Sequence, residues 1–256
     1  MSQDIVVERL PDRPVVRLTL NRPEKRNTIS WEMRQTIGDI AGDLGRDRSV
    51  RVIIVTGAGG CFSSGGDMRG FLEREPYEFA HLGENLATVE EIPQPVIAAV
   101  DGYCFGAGFE LALMCDIRVC SDRAEFALPE ITRGQIPGSG GSQRLSRLIG
   151  WSRAKEMILR GRRMGAEEAL HCGLVCEVVP APELEAASLR IADELCRYSP
   201  LALATLKSTL NHGMDTNLGA AMEIERKAYA MLRSTHDYVE GVRSFFEKRE
   251  PRYEDR

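Results

Sequence analysis

The sequence predicts an α/β protein whose C-terminal part is helical, and three observations carry that expectation. β-Branched apolar runs recur at 15–20, 51–56 and 94–100, glycine-rich turns separate them, and from Ser199 to Arg256 strand patterning gives way to capped helical periodicity. The strand-rich first part and the helical tail read as two distinct layers.

Val15 to Leu20 (VVRLTL) has the β-branched, partly alternating pattern of a strand. The turn after it, NRPEKRN, carries Arg22, Lys25 and Arg26, which read either as solvated loop charges or as contacts for a phosphate. Ser30 is placed to cap a helix from Trp31 to about Leu44, with Met33, Ile37, Ile40, Ala41 and Leu44 at helical spacing and Gly38 and Gly42 weakening it. Arg51 to Thr56 (RVIIVT) is a second strand that runs into GAGGCFSSGGD. A dinucleotide loop fails there, because the glycines are spaced GxGG and GG rather than GxGxxG, and none of the six tyrosines has a lysine four positions later. Gly65 and Gly66 before Asp67 look instead like the start of a helix, with bare N–H groups and Asp67 as its cap. Residues 68–93, charged and containing Phe71, Tyr77, Phe79 and His81, read as a variable helical lid with His81 on the surface.

Gln94 to Val100 reads as a buried strand and Arg118 to Cys120 as part of another, with Asp116 and Arg118 as a structural ion pair or cap. Between and after them lies the most informative stretch, residues 101–141. Gly102 to Gly108 reads as a turn, followed by the apolar run Phe109 to Met114, whose one charge, Glu110, falls in the first turn of a helix. Glu130 follows the strand-like Phe126, Ala127, Leu128 and a proline, and precedes the turn Gly134 to Gly141. Each acid alone reads as ordinary, Glu110 as a helix-start carboxylate and Glu130 as a solvated loop charge. As a pair set in apolar stretches between glycine turns, they point to acid and base work in one cleft. N–H groups at Gly66 and at Ala107 can each donate to one carbonyl oxygen, which is what a thioester enolate requires. Ser64 and Ser139 do not sit in G-x-S-x-G, so no serine hydrolase is signalled.

Trp151 to Leu159 is a helix, GAEEALHCG a short one closed by Gly173, and Leu174 to Val179 a strand. Further helices start near Glu183, at Ser199-Pro200, near Asp215 and near Ser234.

The chain has 256 residues, enough for one large domain, with 43% hydrophobic and 28% charged residues. A net charge of −5 argues against general affinity for nucleic acid or anionic membrane. The seven cysteines are scattered without CxxC, and MSQD is not the start of a secretory leader, so a reducing cytoplasm is expected. His171, Cys172 and Cys176 are close in sequence, yet a helix-turn-strand would point them apart, and no metal site is expected. No apolar run approaches the roughly 18 residues of a membrane span.

Taken together, NRPEKRN, CFSSGGDM, GYCFGAGFELALMCD, ALPEITRGQIPGSGGSQRL, GAEEALHCGLV and SFFEKR resemble the enoyl-CoA hydratase/isomerase (crotonase) superfamily, in order and over nearly the whole chain. The resemblance implies a crotonase-like spiral of repeated ββα units over residues 1–195, and a helical C-terminal region over 196–256 that packs homotrimers, commonly paired into hexamers. It implies an acyl-CoA thioester as substrate, with neither metal nor redox cofactor, coenzyme A being part of the substrate. The family's oxyanion donors fall on the N–H groups of Gly66 and Ala107, where the family usually has glycine at the second position. Its acid/base pair falls on Glu110 and Glu130. Lys25, Asp67, Met68, Arg69 and Lys248 match positions near the CoA portion, Lys248 from the C-terminal region. Retention of both acids favours hydration of a 2-enoyl-CoA over double-bond isomerisation, which needs one carboxylate. GRRMGAEEAL, FELAL and FALPE also resemble carnitinyl-CoA dehydratases. A non-catalytic RNA-binding or scaffold member is disfavoured, since neither acid is missing and no lysine-rich helix occurs.

Overall fold

The computed structural model describes residues 4–255. The chain opens with an antiparallel pair, β1 (Ile5–Arg9) and β2 (Val15–Leu20), before α1 (Trp31–Arg46), whose N-cap Ser30 accepts the Met33 N–H. β3 (Val52–Gly57) then leads through a long loop to the short α2 (Pro76–Ala80) and to α3 (Glu84–Glu91). Next come β4 (Val96–Val100), β5 (Tyr103–Phe105), α4 (Gly106–Met114), β6 (Ile117–Ser121) and β7 (Glu125–Ala127). After them lie α5 (Gly141–Ile149), α6 (Trp151–Arg160), β8 (Met164–Gly165), α7 (Ala166–His171) and β9 (Glu177–Val179). Four helices finish the chain: α8 (Leu184–Leu195), α9 (Pro200–Met214), α10 (Leu218–Leu232) and α11 (His236–Glu247).

Six strands form one sheet in the order β1-β2-β3-β4-β6-β9, parallel from β2 onward, and β5-β7-β8 form a second. Alternation along the main sheet divides its side chains between two apolar layers. Val16, Leu18, Ile53, Val55, Val96 and Ala98 face α1, α3 and α4, while Val15, Val52, Ile54, Ile97, Ala99 and Val119 face α8 through Leu184, Ala187 and Ala192. Every residue of α4 is buried, so this helix runs through the interior with Glu110 as its one charge.

Four expectations are corrected. The Gly102–Gly108 turn contains strand β5, because Tyr103 to Phe105 pair with β7. α4 begins at Gly106, which puts Glu110 in its second turn. Gly65 and Gly66 start no helix: Ile29 donates to Gly65 O and accepts from Asp67 N–H, keeping the chain extended until a 3-10 turn at Phe71–Glu73. The structural reading of Asp116 and Arg118 holds with separate partners: Asp116 pairs with Lys207 (2.8 Å) on α9, and the Arg118 guanidinium caps the end of α4 at Cys115 O (2.6 Å). The strand expected over 174–179 is confined to β9, since Leu174 and Val175 turn back onto Ala169 O.

Candidate active site

The loop after β3 and the start of α4 are locked together by the chain itself. Ser63 N–H donates to Tyr103 O (2.8 Å) and Ser63 O accepts from Phe105 N–H (2.9 Å), so the loop adds to β5. Gly108 makes the approach possible: a Cβ there would lie 2.4 Å from Ser63 Cβ. Gly66 and Ala107 become neighbours, a Cβ on Gly66 lying 3.9 Å from that of Ala107. Ile29 bonds the residues flanking Gly66, so in this parallel bridge the Gly66 N–H points to the other side. The Ala107 N–H, second in α4, has no acceptor within the helix. Among the described residues neither N–H donates a hydrogen bond outside a helix or strand.

The two acids come together in unlike environments. Glu110, 3% exposed, accepts at Oε1 from Ser139 N–H (2.6 Å) and Gly141 N–H (3.0 Å), the latter at the positive end of α5. Glu130 opens a 3-10 turn behind Pro129 and reaches back so that its Oε1 lies 3.1 Å from where a Cβ on Gly106 would sit. Its Oε2 is buried without a hydrogen-bond partner. Burial first, and the charge of Glu110 in addition, push the Glu130 carboxyl up to about 7, against the opposing pull of its own backbone N–H and, less, of Arg133. One acid is thus held by N–H donors and the other is poised near neutrality.

Aromatic rings roof this cleft. Phe71 Cζ lies 3.9 Å from the Cβ position of Gly66, and Phe71 packs edge-on against Phe79 (5.1 Å between centroids), which meets Trp31 (5.6 Å). The segment expected as a lid therefore supplies apolar cover, anchored by Leu86 and Val89 of α3 in the core.

The sequence match decides the family. A family model for enoyl-CoA hydratase/isomerase matches residues 12–256. The chain belongs to the enoyl-CoA hydratase/isomerase family. Its similarity to the 2,3-dehydroadipyl-CoA hydratase of Escherichia coli K12 is 36% identity, covering 99% of each chain. It is 35% identical to the crotonyl-CoA hydratase of Syntrophomonas wolfei over 98% of each. Among solved structures, an enoyl-CoA hydratase from Bacillus anthracis superposes with a TM-score of 0.93 at 37% identity, covering 99% of this chain and all of that one.

In this enoyl-CoA hydratase/isomerase family member the other predicted site residues are spread outward from the cleft. The Asp67 carboxylate is taken by Arg69 (2.9 Å) and by buried Arg22 (3.2 Å), which hold it well below the usual carboxylate range. Arg22 is therefore a structural cation and not an open phosphate contact, and Asp67 caps no helix. Lys25 ends an exposed turn at Pro23–Lys25, Met68 is exposed, and Arg69 extends outward from Asp67. Lys248 sits in a left-handed conformation after α11, and no ion pair or hydrogen bond among the described residues ties it to the cleft by its side chain.

Two contributors escaped the sequence reading. Ser139, dismissed as a nucleophile, matters through its backbone N–H. Arg34 is buried on α1, donating from Nη1 to Ser139 Oγ (2.9 Å). Its spacing to Ile37, Gly38 and Ala41 at three, four and seven residues was the available signal that this charge faces inward. Among the described residues no helix is long and apolar enough to cross a membrane.

Proposed function

We propose that this protein is an enoyl-CoA hydratase, a lyase that adds water across the 2,3 double bond of a 2-enoyl-CoA thioester to give the 3-hydroxyacyl-CoA. The observation that carries this reading is the coexistence, beside two adjacent N–H donors, of a carboxylate anchored by two N–H groups and a carboxyl raised to about 7. The thioester oxygen accepts from the Gly66 and Ala107 N–H groups, which makes C3 electrophilic and holds the enolate charge that follows. Glu110 orients water and takes its proton as hydroxide adds to C3. Glu130 delivers a proton to C2, and a proton transfer between the acids closes the cycle. No group beyond water and the thioester is required. Lys25, Asp67, Met68, Arg69 and Lys248 are assigned to the CoA portion, Lys25 and Arg69 by charge. An isomerase would need only one acid, and the raised Glu130 beside an anchored Glu110 favours two distinct proton steps.

Incubation with crotonyl-CoA tests this: loss of the conjugated-thioester absorbance is expected. Consumption of a 3-enoyl-CoA with crotonyl-CoA untouched would favour the isomerase. The pH profile has a definite sign. Hydration needs Glu130 protonated beside an ionised Glu110, so kcat/KM falls as pH rises through about 7, and because the reaction takes up no net proton, kcat/KM for dehydration of the 3-hydroxyacyl-CoA falls in parallel. The folded-state value lies above the ordinary 4.5, so the stability tied to this proton is full below 4.5 and lost as pH climbs to about 7. Melting temperatures of wild type and Glu130→Gln, measured across that window, should diverge accordingly.

We also propose that 196–256 assembles the protein into trimers or hexamers. α9–α11 bury no apolar side chain in the chain, only Lys207, Asp237, Glu240 and Ser244, while Leu210, Met222, Phe245 and Phe246 stand exposed. Sedimentation should give a trimer or a multiple of it, and Phe245→Asp with Phe246→Asp should lower that mass. A monomeric wild type would refute the assembly. The seven free thiols, three of them fully or nearly fully buried at 104, 115 and 120, suit a reducing cytoplasm.

A further inference from the structure

Arg34 is 4% exposed, and no carboxylate lies within ion-pair distance of it among the described residues. Only its Nη1 has protein acceptors, Ser139 Oγ at 2.9 Å and Leu82 O at 3.4 Å. Among the described residues Nη2 and Nε have none, and they are not among the sealed unpartnered atoms found there, Gln94 Oε1 and Glu130 Oε2. The spare N–H groups therefore border open space. That space is the cleft: Nη2 lies 3.7 Å from the Cβ position of Gly66, where Ala107 and Phe71 also meet. A largely buried guanidinium whose free edge faces a substrate cleft is set to receive an anion with matching geometry. Desolvation pulls its proton affinity down, with Glu110 supplying only distant compensation. An ordinary alkyl chain would leave this donor edge unsatisfied.

We propose that Arg34 determines specificity by receiving a carboxylate carried on the acyl chain, so that the preferred thioesters are acyl-CoAs with an anionic acyl group. The inference rests on the thioester reading above and deepens it. A carboxylate accepts two N–H groups side by side, which the free edge of Arg34 offers and which a methyl-terminated chain cannot use. Ser139 then has two duties, fixing Arg34 by its hydroxyl and Glu110 by its N–H, so chain recognition and the water-activating acid share one support.

Binding, read by calorimetry, separates this inference from catalysis. Succinyl-, glutaryl- and adipyl-CoA are compared with butyryl-, valeryl- and hexanoyl-CoA on wild type, Arg34→Met and Arg34→Lys, with melting temperature reporting whether each variant folds. At one chain length at least, wild type should bind the carboxylated ester about tenfold or more tightly than its methyl partner. Arg34→Met should erase or invert that ratio, and Arg34→Lys should keep part of it. Equal wild-type affinities at all three lengths, or a proportional loss of both esters in Arg34→Met, overturn the assignment while leaving crotonyl-CoA hydration as a separate measurement. If Arg34→Met fails to fold, the wild-type ratios alone decide.

Discussion

Glu130→Gln and Glu110→Gln are each expected to lower kcat for crotonyl-CoA hydration by about 10³-fold or more, with affinity for the CoA ester largely kept. Glutamine matches glutamate in shape, so the changes isolate the proton chemistry. At 110 the amide oxygen still accepts from the Ser139 and Gly141 N–H groups, and what is lost is the charge that pulls a proton from water. At 130 glutamine mimics the neutral acid that burial favours, so the fold is kept, yet it has no acidic proton to give to C2. The two variants also differ in a second readout. Removing the charge at 110 takes away one of the influences raising Glu130, so the pH midpoint of the residual activity in Glu110→Gln should shift below about 7. Single-turnover rates near wild type in either variant would remove that residue from the proposed chemistry.

How far the sequence could carry this depended on whether a feature is local. Ser30 was legible as a cap because its bond to Met33 spans three residues, and the strands 15–20 and 51–56 because β-branched runs announce themselves. β1 went unread since its exposed residues give no alternation, and it exists because β2 offers a free edge. α5 went unread, its first residue placed in the turn Gly134 to Gly141, because Gly140 and Gly141 obscure its start. The same limit applied at the cleft. Both acids could be named from their apolar settings, but that Glu110 is anchored by N–H groups some thirty residues later, and that Glu130 is left without a partner at Oε2, are facts of tertiary packing. Arg34 was missed for a different reason, being a charge on a helix that the sequence reading did not weigh although Ile37, Gly38 and Ala41 follow it at helical spacing.

The donor pair has its own test at a position that touches no substrate. Gly108→Ala is expected to lower kcat by about 10²-fold and to cost about 1–3 kcal/mol of stability. The added Cβ would fall 2.4 Å from Ser63 Cβ and 2.6 Å from its Oγ, far inside contact distance, so α4 must draw away from the 61–66 loop. Ala107 travels with α4 and Gly66 with the loop, so the two N–H groups proposed to share one thioester oxygen would be pulled apart. Ser63→Gly removes the two nearest obstructing atoms, leaving Ser63 O at 3.1 Å and the backbone bonds to Tyr103 and Phe105, at the cost of the bond that Gly65 N–H gives to Ser63 Oγ (3.2 Å). In the double variant Gly108→Ala with Ser63→Gly, the rate should therefore recover by about tenfold or more relative to Gly108→Ala alone, a coupling that a double-mutant cycle measures directly. Independent losses that simply add would mean that the contact between helix and loop does not set the spacing of the donors, and that their convergence is maintained by other parts of the fold.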